Sequence, residues 1–398
     1  MKILHIEDYV HPDAGYQINI LTKYEAARGH EIHILSAYPQ GLPEYLVSFF
    51  EIDDLEQKDN DFQAKYQVRI HRLPIKGFVS GRVVFGKELY QKIEEIAPDI
   101  VFAHGNDTLT SIKLIYYCTK HNIPIVSDSH MLEMASNNPF RKAFRFVYRH
   151  TVARKINKCR IPVIRTQDDD YCIRLLGVDE SLSPYIPLGS DLMLFHPDSE
   201  VKRSMREKYN ISQDGFVVVY AGKLDAYKGG RLLAEALIEG FDKAKTGGRE
   251  ITAVIVGNTV GEYGAGVEEL FSKSKNRIVR IPTQVYVNLA GFYQMADIAV
   301  FPKQCSLSFY DVQACGLPVL LEDNELNRLR TEHNNGFIFE NDNAFALREG
   351  IYRLAGMNEE EFDNMVQSSV KYIEENYNYD EICDRYLSII ESVKENRC

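Results

Sequence analysis

The stretch Asp297-Ile-Ala-Val-Phe-Pro-Lys-Gln-Cys-Ser-Leu-Ser-Phe-Tyr-Asp-Val-Gln-Ala-Cys-Gly-Leu-Pro-Val-Leu-Leu321 reads as two buried strands around a turn and a short helix. Ile298 to Phe301 and Pro318 to Leu321 are apolar runs of strand length. Between them come Cys305 to Ser308, then a short helical stretch carrying Asp311. Gly316 fits the end of that helix, and Pro318 stops it. In an open α/β sheet, ligands bind where strand ends meet helix starts. Backbone N–H groups at a helix start suit an anion such as a diphosphate. The same pattern also fits a plain strand–helix–strand unit with no ligand. These residues alone leave both readings open.

Working outward, the pattern repeats. Phe216 to Leu224 is a buried strand followed by Asp225-Ala-Tyr-Lys-Gly229. Ile251 to Gly257 and Arg277 to Ile281 are further strands, and no Gly-x-Gly-x-x-Gly fingerprint of a dinucleotide enzyme occurs. Near the start, Ile3 to Ile6 is a strand. A loop with Asp13-Ala-Gly15 follows, then a helical pattern from Tyr16 to Arg28 and the strand Glu31 to Leu35. Asp99 to Ala103 ends at His104, and Ile123 to Val126 runs into Ser127-Asp-Ser-His130. Both histidines therefore fall at carboxyl ends of strands, the functional edge of such a sheet. Strands alternating with helices predict doubly wound α/β domains.

Composition bounds the function. With 398 residues, 45% hydrophobic and 26% charged, the chain is long enough for two or three globular domains. Its net charge of -11 argues against general nucleic-acid binding. Seven scattered cysteines without a Cys-x-x-Cys pair suit a reduced, cytoplasmic setting. The start is soon charged and reads as no signal peptide, and no stretch approaches a membrane span.

Three stretches stand apart. Residues 50 to 66 are acidic and polar and read as a solvated surface insertion. Gly81-Arg-Val-Val-Phe-Gly-Lys-Glu88 nearly matches a phosphate-binding loop, but Glu88 stands where a hydroxyl is needed, so it is set aside as chance. From Arg141 to Arg165 there are nine cations and no acid, with Phe140, Phe144, Val147, Tyr148 and Val152 recurring at helical spacing. Such a helix either rests on an anionic membrane surface or packs on the core with a solvated basic face.

The order Ala-Asp-Ile, Phe-Pro, acidic residue, Ala-Cys-Gly-Leu-Pro-Val resembles the carboxy-terminal signature of retaining glycosyltransferases of family four, the group 1 glycosyl transferases. The resemblance spans nearly the whole chain, and order and spacing carry it. It implies the GT-B fold: two Rossmann-like, doubly wound α/β domains facing each other across a cleft. It places an acceptor domain at 1–197, a nucleotide-sugar donor domain at 198–378, and a tail helix from about 379 to 398 that returns to the first. Tyr185 to Pro197 resembles the family's inter-domain segment, with the linker near 195–200.

The resemblance also implies a site. Asp311 takes the place of the second family glutamate and would hold the ribose hydroxyls. The first would fall at Lys303, so the carboxylate pair is incomplete. Lys223 and Lys228 stand at the family's arginine and lysine positions and would hold the diphosphate. Ser306, Leu307 and Ser308 would offer backbone N–H groups, and Arg280 and Ile281 would neighbour the base. Gly15 belongs to the family's glycine loop, and His130 would sit by the reacting carbon. Two fixed cations stabilise a departing diphosphate without a metal or other cofactor. The function implied is transfer of a sugar from a nucleotide-diphosphate donor to a hydroxyl of a glycan or lipid-linked acceptor, in the cytoplasm or at the inner face of the membrane. Two alternatives share the fold: a hydrolysing sugar-nucleotide epimerase, and a non-enzymatic binding subunit.

Overall fold

In the computed structural model, which describes residues 1–43, 54–131, 140–303, 305 and 307–395, the chain divides into two units. One comprises Met1–Leu188 with Tyr379–Cys398, the other Gly189–Asn378.

The first unit contains β1 (Lys2–Ile6), β2 (Glu31–Ala37), β3 (Val68–Leu73), β4 (Ile75–Val79), β5 (Arg82–Phe85), β6 (Ile100–Ala103), β7 (Ile125–Ser129) and β8 (Val163–Arg165). Six of these form a parallel sheet in the order β3-β2-β1-β6-β7-β8. Strands such as Ile100–Ala103 are buried at every position, as expected of a parallel sheet covered on both faces. The remaining two, β4 and β5, form an antiparallel hairpin. Its turn residues Ser80 and Gly81 have φ of 51° and 79°, the left-handed backbone that tight hairpin turns need. The segment resembling a phosphate loop is thus a hairpin turn, its second strand and the start of the helix Lys87–Ile96.

Two sequence expectations are corrected here. The polar stretch is not simply solvated: Leu55–Tyr66 is a helix that buries Leu55 and Phe62, and its Asp59 pairs with Arg72 at 2.6 Å. The part at 50–53 lies outside the described residues. The basic stretch is two helices, Arg141–His150 and Val152–Cys159, broken at Thr151. Its apolar stripe divides as well: Tyr148 and Val152 are buried, whereas Phe140 and Val147 are exposed. The tail helix Tyr379–Glu395 belongs to the first unit, where Arg28 reaches Asp380 at 2.9 Å and Asp384 at 2.6 Å.

The second unit contains β9 (Phe216–Ala221), β10 (Ile251–Val256), β11 (Arg277–Ile281), β12 (Ile298–Phe301), β13 (Val319–Glu322) and β14 (Gly336–Phe339). All pair in parallel, in the order β11-β10-β9-β12-β13-β14. The unit begins at Gly189, earlier than the expected boundary after 197. The reason is packing: Ser190 N donates to the Tyr377 carbonyl at 2.8 Å, and Phe195 is wholly buried in this unit's core. The supposed linker at 195–200 instead leads straight into the helix Ser199–Lys208, which Asp198 caps.

Both sheets reverse direction once. In the first the reversal lies between β1 and β6, in the second between β9 and β12. The strand ends at such a switch point diverge and leave room for a ligand.

Candidate active site

The second unit's switch point gathers most of the residues singled out in the sequence. Lys223 lies two positions past β9 and is exposed. Lys228 is half-buried in the turn that follows, and its backbone N donates to Asp225 Oδ1 at 2.9 Å. Gly229 then turns with φ of 74° into the helix Gly230–Ala236. A Cβ on Gly229 would lie 2.9 Å from Lys303 Cγ and 3.0 Å from Pro302 Cβ. Only glycine lets this turn press against the loop after β12. Lys228 and Cys305 consequently face one another electrostatically. Burial lowers the Lys228 pKa, Cys305 and Asp225 raise it, Lys223 lowers it, and the net shift is downward. A half-desolvated cation of this kind gains most from an anionic partner.

On the β12 side, Asp311 sits in the first turn of the helix Ser308–Ala314 and is 5% exposed. Ser190 Oγ donates to its Oδ1 at 2.7 Å, and Tyr286 Oη donates to the same oxygen at 3.3 Å. Burial raises the Asp311 pKa to about 7 against these two hydrogen bonds, with Asp191 adding to the rise. Ser308 begins the helix and Leu307 precedes it, half-exposed. Ser306 lies outside the described residues. Lys303, where the family's first glutamate would fall, pairs with Asp342 at 2.5 Å.

The β11 candidates are differently placed. The Arg280 guanidinium is occupied by Glu268 at 2.7 Å and by the Ile255 and Gly257 carbonyls at 2.7 and 2.9 Å. It braces the strand and the adjoining helix Gly261–Ser272. Ile281 is 8% exposed, and its carbonyl accepts from Gly257 N. Close by, a Cβ on Gly257 would lie 1.9 Å from the Gly222 carbonyl oxygen, so Gly257 must be bare for the ends of β9 and β10 to meet.

The sequence reading missed Ser190 and Tyr286, the partners of Asp311. Ser190 belongs to Gly189-Ser-Asp191, read only as inter-domain sequence, whereas Tyr286 had no motif to mark it.

In the first unit, Gly15 lies in the loop between β1 and the helix Gln17–Ala27. His130 lies one residue beyond β7, with 38% of its side chain exposed and Nε2 at 3.2 Å from Asp128 Oδ2. His104 is buried behind it, with Nδ1 at 2.8 Å from the same oxygen. The donor atoms of His104, Asp128 and His130 lie within 4.8 Å of one another, a spacing a metal ion could also use. The close imidazole–carboxylate contacts are those of a hydrogen-bonded group.

Comparison with known proteins bears on both units. A family model described as Glycosyltransferase Family 4 matches residues 15–192, and one described as Glycosyl transferases group 1 matches residues 215–356. The D-inositol 3-phosphate glycosyltransferase of Xylanimonas cellulosilytica is 28% identical over 166 residues, covering 39% of this chain and 38% of that protein. The chain thus spans under two fifths of that relative's length. The alpha-monoglucosyldiacylglycerol synthase of Acholeplasma laidlawii is 25% identical over 350 residues, 82% of this chain and 80% of that protein. A glycosyltransferase structure from Rickettsia africae superposes with a TM-score of 0.75 at 17% identity, covering 99% of both chains. Anabaena HepE, in complex with UDP and glucose, gives 0.67 at 16% identity, covering 98% of this chain and all of the other. At these identities the structural likeness speaks to the fold alone.

Proposed function

The chain belongs to the group 1, family four glycosyltransferases and has their GT-B fold, and from that premise we propose that it transfers a sugar from a nucleotide-diphosphate donor to a hydroxyl with retention. The observation that carries this is the set of groups at the second unit's switch point: Lys223, half-buried Lys228 and buried Asp311. Lys223 and Lys228 hold the diphosphate and stabilise the charge it gains as it departs, without a metal. Asp311 accepts from the ribose hydroxyls. Leu307 and Ser308 offer backbone N–H groups. A thermal-shift screen of nucleotide sugars tests donor binding, since a selective ligand raises the melting temperature. A chain indifferent to every nucleotide sugar would contradict the proposal.

The acceptor is a glycan or lipid-linked hydroxyl, and the Acholeplasma relative's glycolipid name supports that class. Among the described residues, no helix is long and apolar enough to cross a membrane. Exposed Phe146 and Val147 beside exposed Arg141, Lys142 and Arg149 support docking on an anionic membrane face. The chain is expected to sediment with phosphatidylglycerol vesicles, to release them as salt rises, and to ignore phosphatidylcholine. Phe146→Asp should weaken that binding roughly tenfold. Equal sedimentation with both vesicles, or with neither, would leave a basic face that only meets water.

A further inference from the structure

Five ionisable side chains from four segments of the first unit join into one hydrogen-bonded chain. Glu25 Oε2 lies 2.7 Å from His5 Nε2, His5 Nδ1 lies 3.1 Å from His104 Nε2, and His104 Nδ1 lies 2.8 Å from Asp128 Oδ2. The same Asp128 oxygen meets His130 Nε2 at 3.2 Å, and His130 Nδ1 lies 2.8 Å from Thr166 Oγ1. Register explains the alignment. His5 of β1 is paired with Phe102 of β6, so His5 shares a sheet face with Phe102 and His104. Phe102 stacks on both imidazoles, with ring centroids at 5.1 and 4.5 Å, and on Tyr386 of the tail helix at 5.9 Å. Glu25, His5 and Asp128 are wholly buried, and among the described residues the second Glu25 oxygen has no hydrogen-bond partner.

Proton counting fixes the charge. Each of the bonds from Glu25 to His5, His5 to His104 and His104 to Asp128 needs one proton. Three protons on two carboxylates and two imidazoles leave a net charge of minus one, wherever along the chain they sit. When the Thr166 hydroxyl donates to the Ser129 carbonyl at 3.2 Å, its oxygen is left to accept from His130 Nδ1 at 2.8 Å. Asp128 takes the Gly105 N–H on Oδ1 at 2.7 Å and, as a carboxylate, accepts from His130 Nε2 on Oδ2. Both His130 nitrogens are then donors, which only an imidazolium allows. Its positive charge offsets the buried negative one.

We infer that Asp128 and Thr166, backed by His104, His5 and Glu25, are positioning residues that hold His130 as a fixed imidazolium. The inference rests on the reading that His130 serves sugar transfer and changes its role: a ring with both nitrogens donating cannot take a proton from the acceptor. The charged groups facing it are Asp128, Glu7 after β1, Arg82 from the hairpin and Asp107 after β6. Burial alone would lower the His130 pKa; Asp128 outweighs it, with Glu7 helping and Arg82 opposing, and the net shift is upward. Burial alone would raise Asp128, yet His130 and His104 hold it well below the usual carboxylate range. A raised imidazole keeps its proton at pH values where a free histidine has lost it, and loses it as pH rises through the raised value.

Long-range proton–nitrogen correlation on the full chain with ¹⁵N-labelled histidine tests this directly, with His130→Asn identifying the signals. Both His130 nitrogens should stay protonated at a pH where a free histidine has lost its proton; a bare nitrogen there overturns the inference. Asp128→Asn should lower the His130 pKa and move the falling limb of kcat/KM to lower pH by the same amount. If that variant does not fold, Thr166→Val keeps the shape and removes one acceptor. It should cut kcat by about tenfold with little change in donor KM, and wild-type kcat would overturn the positioning role. His130→Ala at full turnover would remove His130 from the reaction itself, an outcome distinct from a bare nitrogen.

Discussion

Lys228→Ala is expected to cut turnover by about 10²-fold or more, the scale of losing one charge contact made to a transition state. A nucleoside diphosphate gains negative charge as the sugar leaves, so the missing cation costs the transition state more than the bound donor. The loss should therefore fall on kcat more than on KM. Lys228 suits this role because it is half-buried in a turn braced by Asp225 and pressed on Pro302 and Lys303. Burial has already stripped part of its hydration, so an arriving phosphate has less water to displace. The turn is held by backbone contacts that alanine keeps, so the melting temperature should hardly move. Unchanged turnover in the folded variant would remove Lys228 from the site.

The second large effect is expected at Asp311. A carboxylate accepts from two neighbouring hydroxyls at once, as a ribose presents them, and charged acceptors make hydrogen bonds worth about 1.5–3 kcal/mol. Asp311→Asn should bind the nucleoside diphosphate ~10-fold or more weakly and lose its preference over the 2′-deoxy analogue. Burial raises this carboxyl to about 7. Ribose hydroxyls donate to the ionised form and pull the pKa down, so binding near pH 7 should release roughly half a proton. Calorimetric titration in buffers of different ionisation heat measures both effects, and the variant should release none. The sign for folding runs the same way: a raised carboxyl supports the fold at low pH and loses that support as pH climbs through about 7. Asp311→Asn should therefore melt no lower than the wild type above pH 7. If Asp311 only served the helix Ser308–Ala314, affinity would not change, because asparagine suits a helix start nearly as well.

The fold was legible because its signals are local. Ile298 to Phe301 and Phe216 to Ala221 are buried on both faces, so their apolar runs mark parallel strands without reference to anything distant. The helix Leu55–Tyr66 was harder: it buries only Leu55 and Phe62, and its acids look like solvent-facing sequence. The lysine pair and Asp311 lie in short motifs and could be read. Ser190 lies 121 positions from Asp311, and His5 lies 99 positions from His104. Such pairs exist only because strand order brings distant segments to one edge, and no spacing along a single chain announces them. His104 and His130 could be noticed at their strand ends, whereas Glu25, in the last turn of a helix, could not.

Incubating the purified chain with a panel of nucleotide sugars, while following the anomeric protons by nuclear magnetic resonance, tests the central claim most directly. Nucleoside diphosphate should be released from one donor class, and the first sugar product should keep the donor's anomeric configuration. Release should collapse in Lys228→Ala by about 10²-fold. A first product of inverted configuration would contradict retention, and a folded chain that consumes no nucleotide sugar, with or without a hydroxyl acceptor, would contradict the transferase itself.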